Sequence, residues 1–211
     1  MVLVTQNAIP DGDVAARIAQ RTLANRGEDY ADEVRRILDT ALALMHSLGT
    51  ARKPRVSDIV AAAGVSNDAF YRYFSSKDAL VTALLEDGAE RLTRYLSHQM
   101  AKEPTPQGQL RRWVDGVLSQ ADGETGNRTL AVLWNGGEVA DAAGRHFAAR
   151  PVAALLREPL RALGSKRPEL DAALVAHAVL GCLSDHLWER TRPSAAERKR
   201  ILEFCLKAAA G

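Results

Sequence analysis

The chain has 211 residues, 46% of them hydrophobic and only 5% aromatic, and a net charge of +2. That much apolar residue buries a substantial core, and a small N-terminal domain joined to a larger one is favoured over a single large domain. Abundant alanine and the lack of alternating β-branched runs exclude a sheet and give an all-α chain. A chain that neutralises many phosphates usually carries a larger excess than +2, so any basic face must be local.

Residues 1–29 read as a flexible arm, with Pro10, Gly12 and acidic Asp11 and Asp13 near its start. Val14, Ile18 and Leu23 offer a turn or two of amphipathic helix. Arg17, Arg21 and Arg26 would suit a minor-groove arm, but the acidic residues around them favour a mobile tail. Over residues 31–48, Val34, Ile37, Leu38, Ala41, Met45 and Leu48 share one helical face, and Gly49 ends it. Pro54 keeps this first helix from running into the next.

Residues 55–80 read R-V-S-D-I-V-A-A-A-G-V-S-N-D-A-F-Y-R-Y-F-S-S-K-D-A-L. Ser57 is placed to cap a short helix that carries Ile59, Val60 and Ala63 and stops at Gly64. Ser66 is placed to cap a second, whose Phe70, Tyr73 and Phe74 face inward while Asn67, Asp68, Ala69 and Arg72 face outward. This is a helix-turn-helix, and its second helix has the length to enter a DNA major groove. With its N-terminal end toward the bases, Ser66, Asn67, Asp68, Ala69 and Arg72 are the candidates for direct readout. Arg52, Lys53, Arg55, Arg72 and Lys77 gather around the motif against Asp58 and Asp68, which makes the basic surface local to it.

Ser75 or Ser76 opens a long fourth helix carrying Leu80, Leu84, Leu85, Leu92, Leu96 and Met100, with S-S-K-D resembling a capping box. Pro104 and Pro106 break it. A helix over 107–121 buries Leu110, Trp113, Val114, Val117 and Leu118, residues 122–126 form a turn, and residues 128–134 a short helix ended by N-G-G. From Val139 the pattern is helical again to about Gly164, with Pro151 and Pro159 blurring the boundaries. Pro168 opens a helix apolar nearly all round, expected to pack its own core on one face and a second copy of the chain on the other. Ser194 to Glu197 is a capping box for the last helix, which presents Ile201, Leu202, Cys205 and Leu206. The last two helices of each subunit would form a four-helix interface, with Leu174, Gly181, Trp188, Ile201 and Cys205 as its residues.

The run G-V-S-N-D-A-F-Y-R-Y-F-S-S-K-D-A-L resembles the DNA-binding signature of the TetR-type bacterial transcriptional regulators, over about residues 30–92. Val60 stands where such motifs commonly have alanine, and Asp68 where the family often has a small residue. Taken with the element pattern, the chain is expected to divide into a flexible arm over 1–29, a helix-turn-helix DNA-binding domain over 30–78 and a helical effector-binding and dimerisation domain over 79–211. The resemblance also implies that Tyr71 and Lys77 contact phosphate, joined by Ser57 and the N-terminus of its helix. A homodimer would read a palindromic operator and most simply repress transcription. The family's second domain usually holds a small-molecule effector, and Met100, Trp113, Trp134, Phe147 and His177 are the candidate lining residues for a mostly apolar one.

Enzymatic readings fare poorly. Ser184, Asp185 and His186 are consecutive on a helix, so their side chains diverge by about 100° each and cannot converge as a triad. No phosphate loop, nucleophile elbow or metal-ligand spacing occurs, and no cofactor is expected. Cys182 and Cys205 sit in apolar helical patterns, which suits buried thiols in a reducing cytoplasm. The longest apolar run, residues 172–183, is too short to span a bilayer. A helical ligand-carrier or protein-interaction module with a vestigial motif is the competing reading.

Overall fold

The structure is a computed structural model that describes residues 14–137 and 149–209, with side chains described for 27–137 and 149–208. Ten α-helices and no strand occur among the described residues. They are α1 (Val14–Leu48), α2 (Val56–Ala63), α3 (Asn67–Tyr73), α4 (Lys77–Met100), α5 (Pro106–Leu118), α6 (Gly123–Gly136), α7 (Ala149–Ala154), α8 (Arg157–Ala162), α9 (Pro168–Glu189) and α10 (Ala195–Ala209). A 3₁₀ turn, Ser119–Ala121, joins α5 to α6.

Two boundaries differ from the sequence reading. Helix α1 begins at Val14, so residues 14–29, expected within a flexible arm, are helical. That stretch is rich in Ala and Arg, and elongating an existing helix requires no new nucleus, so a missing apolar stripe does not end it. Helix α6 begins at Gly123, where a turn through Gly126 was expected. The second glycine serves a close approach: a Cβ on Gly126 would lie 2.6 Å from the carbonyl oxygen of Ala121.

Apolar side chains collect into two cores. The N-terminal one joins Ile37, Ala41 and Met45 of α1, Ile59 and Val60 of α2, Phe70 and Phe74 around α3, and Leu80, Val81 and Leu84 from the first turns of α4. Ala131 and Val132 of α6 belong to this core as well. The second core takes Leu96 and Met100 from the far end of α4, then Leu110, Trp113 and Val117 of α5, Leu156 and Leu160, Val175, Val179 and Leu183 of α9, and Cys205. Helix α4 therefore begins in one core and ends in the other. Trp113, fully buried, donates its indole N–H to the Val152 carbonyl at 2.9 Å, which offsets the cost of hiding a polar atom.

These placements correct three expectations. Met100 and Trp113, proposed to line a ligand site, are core residues, and Cys205, proposed for a subunit interface, is 0% exposed within a single chain. Helical spacing made them apolar-face residues without saying which neighbour covers that face. Phe147 lies outside the described residues. Helix α9 keeps one buried face, Ala172, Val175, Ala176, Val179, Leu183 and Leu187, and leaves Leu170, Leu174, His177, Gly181, Asp185 and Trp188 exposed along the opposite one. It is long and apolar enough to cross a bilayer by length and composition alone, yet its buried face packs within the second core.

Alanine at position 126 has to displace backbone rather than a flexible side chain, so Gly126→Ala is expected to lower stability by about 1–3 kcal/mol in denaturant unfolding. Burial pushes the Cys205 thiol up to about 12. Iodoacetamide at pH 8 should therefore leave Cys205 unmodified in the folded protein and alkylate it after unfolding, as peptide mass mapping would read.

Candidate nucleic-acid interface and effector cavity

Arg55 holds the N-cap of α2, where the Asp58 carboxylate accepts from its backbone N–H at 2.9 Å. Ser57, expected as the cap, is the second residue of α2 and exposed. A carboxylate three residues into the helix satisfies a free N–H as a serine would, and it suits the positive end of the helix dipole better. Gly64 closes α2 with φ of 65°, the left-handed conformation that needs no Cβ. Ser66 then caps α3, its Oγ accepting from the Ala69 N–H at 3.0 Å.

Helix α3 is only seven residues long, too short to hold itself together, and it depends on its inward face. Phe70 is 0% exposed and tilts against Phe74 at a centroid distance of 5.6 Å. With that face fixed, Ser66, Asn67, Asp68, Tyr71 and Arg72 are all exposed. Ala69 is not: at 6% exposure it belongs to the footing, which corrects its assignment to the reading face. It lies one residue before Phe70 and leans toward the buried side, where its small size lets α3 sit close.

The exposed side chains are held from beneath. Tyr73 donates its hydroxyl to the Glu33 carboxylate of α1 at 2.6 Å and meets Tyr30 edge to face at 6.2 Å. The hydrogen bond to Glu33 keeps the phenol above its usual titration range. Over its ring lies the Arg72 guanidinium, 5.9 Å from the centroid. Tyr71 stands edge-on against Phe70 at 5.3 Å and remains 55% exposed. Arg52 lies 3.8 Å from Asp58, a loose exposed pair that leaves the guanidinium able to meet other anions.

Lys77, the first residue of α4, is held differently. Its ammonium donates to Asn135 Oδ1 of α6 at 3.3 Å, and burial followed by the nearby charge of Lys53 lowers its pKa. Lys53 sits over the Trp134 ring, 5.6 Å from its centroid. Trp134, proposed to line a ligand site, therefore faces the loop between α1 and α2. On that same loop Arg190, at the end of α9, donates to Thr50 Oγ1 at 2.5 Å.

A cavity of about 460 Å³ lies where the two cores meet. Leu42 of α1, Leu84 and Leu85 of α4 and Val132 of α6 form much of its apolar wall. Arg91 and Arg128 reach it from α4 and α6, paired outward with Asp87 and Glu124, both at 3.0 Å. His177, Ser184 and Asp185 face it from α9. His177 Nδ1 lies 2.7 Å from the Ala173 carbonyl, which can only accept, so that nitrogen donates. Of the five expected lining residues, His177 alone reaches this cavity among the described ones. The contributions of α1, α4 and α6 had no signal in the sequence, because they come from helices that meet only after folding. Among the described residues no group of three or more metal-ligating side chains occurs.

Residues 37–84 match the family described as bacterial regulatory proteins, tetR family. The nucleoid occlusion factor SlmA of Actinobacillus pleuropneumoniae serotype 5b (strain L20) is 29% identical over 86 residues, 41% of this chain. The chain spans 43% of the length of that relative. Among solved structures, a Mesorhizobium loti protein described as a TetR-family transcriptional regulator shares the fold at a TM-score of 0.62 and 17% identity, with 85% of this chain and 96% of the other covered. Escherichia coli NemR in its reduced form does so at 0.55 and 22%, covering 84% and 95%. RolR in complex with resorcinol does so at 0.62 and 15%, covering 86% and 89%.

Replacing Ser66 by alanine leaves an N–H of α3 without its partner and should cost about 1 kcal/mol in thermal or denaturant unfolding. Ala69→Leu should cost more, because the added methylenes must enter the contact between α3 and its footing.

Proposed function

We propose, from the premise that over residues 37–84 the chain belongs to the tetR family of bacterial regulatory proteins, that it is a sequence-specific DNA-binding transcription regulator, acting as a homodimeric repressor that a small, mostly apolar effector releases from a palindromic operator. The observation that carries the reading is the outward face of α3: Asn67, Asp68, Tyr71 and Arg72 exposed on a seat of buried phenylalanines. Asparagine suits adenine, arginine suits guanine, and a carboxylate can accept from cytosine N4 while it repels phosphate. Tyr71 and Lys77 supply phosphate contacts that fix the helix in its groove without reading sequence.

One seven-residue helix reaches only a few base pairs, so useful specificity needs two copies. The exposed stripe of α9 supports the pairing. Leu174 is 59% exposed and Trp188 47%, Gly181 lies between them, and Phe204 of α10 is 54% exposed. A second copy would remove this apolar surface from water, with the small Gly181 allowing close approach. The 460 Å³ cavity supports an effector, its size suiting a small organic molecule and its leucine and valine walls an apolar body. RolR, of the same fold, is bound to resorcinol, and Bacillus subtilis FadR to stearoyl-CoA.

Selection of bound duplexes from a random pool should enrich an inverted repeat. Arg72→Ala and Asn67→Ala should each relax preference at one position of both half-sites, by about 5- to 150-fold. Tyr71→Ala combined with Lys77→Ala should weaken binding to all sequences alike and flatten its salt dependence. A pool that stays random would overturn the reading and leave the helical ligand-carrier in its place.

A further inference from the structure

The end of α6 is where the rest of the molecule grips the two lysines nearest the helix-turn-helix. Asn135 is 4% exposed, and its Nδ2 donates to the Ala131 carbonyl at 2.9 Å, which turns Oδ1 toward the Lys77 ammonium. The opposite amide orientation would set an NH₂ group against an ammonium, so the assignment is fixed by charge. Next to it the Trp134 ring faces Lys53, whose Nζ lies 3.9 Å from the place a Cβ on Gly137 would take. The last carbonyls of a helix have no intrahelical partner and carry its negative partial charge, so this end of α6 draws cations in three ways: an amide oxygen, an aromatic face and a dipole.

Both lysines have reason to leave. Lys77 occupies the first turn of α4, where the helix dipole is positive, it is half-buried, and Lys53 adds a like charge nearby. A phosphate oxygen carries a full charge where Asn135 offers a neutral oxygen, so it adds to the hydrogen bond an ion-pair attraction that the amide lacks. A four-carbon stem lets each ammonium swing without moving the backbone.

We propose that the C-terminal end of α6 is a latch which, without DNA, holds Lys77 on Asn135 and Lys53 on Trp134, and that binding to DNA transfers both cations from α6 to backbone phosphates. Asn135 and Trp134 are thus positioning residues that set DNA affinity without touching DNA. The inference rests on the DNA-binding reading and deepens it. Helix α6 also lines the cavity through Thr129, Val132 and Leu133, so an occupant there and a phosphate act on opposite sides of the same helix.

The test uses the full chain, a fluorescein-labelled duplex of the enriched sequence, and a cycle of Asn135→Ala, Lys77→Ala and the double variant over a range of salt. Asn135→Ala should tighten binding by about 3- to 10-fold, the worth of one hydrogen bond broken on binding. The gain should be equal at every salt concentration, because the DNA-bound state and its released ions are unchanged. Combined with Lys77→Ala, the same substitution should have no effect. A second readout leaves the latch intact: the tryptophan emission of wild type minus that of Trp134→Phe should change when duplex is added, as Lys53 leaves the ring. Unchanged or weaker binding by a folded Asn135→Ala, an effect of equal size with and without Lys77, or a difference emission that ignores DNA would each overturn the latch while the DNA-binding reading stands. Failure of the wild type to bind any duplex at low salt would overturn both.

Discussion

Phe70 and Phe74 anchor α3 in the core formed with Ile37, Met45, Ile59 and Leu80, and the axis of the helix depends on that footing. Seven residues make too few intrahelical bonds to offset their own nucleation. Burying each phenylalanine contributes about 1.5–3 kcal/mol, more than the Ser66 cap at about 1 kcal/mol, so packing fixes the axis of the helix and the cap trims its start. Everything the outward face can do follows from that rotation. A helix turned by one residue, about 100°, would hide Arg72 and expose Phe70.

The same core does not stop at the helix-turn-helix. It takes in Ala131 and Val132, so α6 is packed into the N-terminal unit, while α4 runs from it to Leu96 and Met100 in the second core. Two helices thus cross the joint, and Arg190 of α9 reaches the loop before α2. The cavity lies at that joint, with Leu42 of α1 among its walls. An occupant would touch the N-terminal helical unit directly, with no long relay through the second core, and α6 packs against both the cavity and the two lysines.

Much of the candidate site was legible in the residues. The turn at Gly64, the cap at Ser66, the inward phenylalanines and the capping box of Ser194 with Glu197 are local devices whose partners lie within a few positions in sequence. Where a local reading failed, a second local group competed. Asp58 did the capping expected of Ser57, and Ala69 fell on the boundary between the two faces of α3, where spacing alone does not separate buried from exposed. The long start of α1 and the early start of α6 were missed because apolar periodicity records burial, and backbone hydrogen bonding continues a helix that carries no apolar stripe.

By itself, the sequence determined an all-α chain and a helix-turn-helix with its polar face outward, since each is a matter of short-range spacing, capping and turn chemistry. Only the tertiary structure decided that Cys205, Met100 and Trp113 are core, that Trp134 and Asn135 hold two lysines, and that the cavity lies between the cores. The reason is geometric. An apolar or polar face is written along one helix, whereas the group that covers it comes from another helix far away in the chain, and only packing the two together selects it.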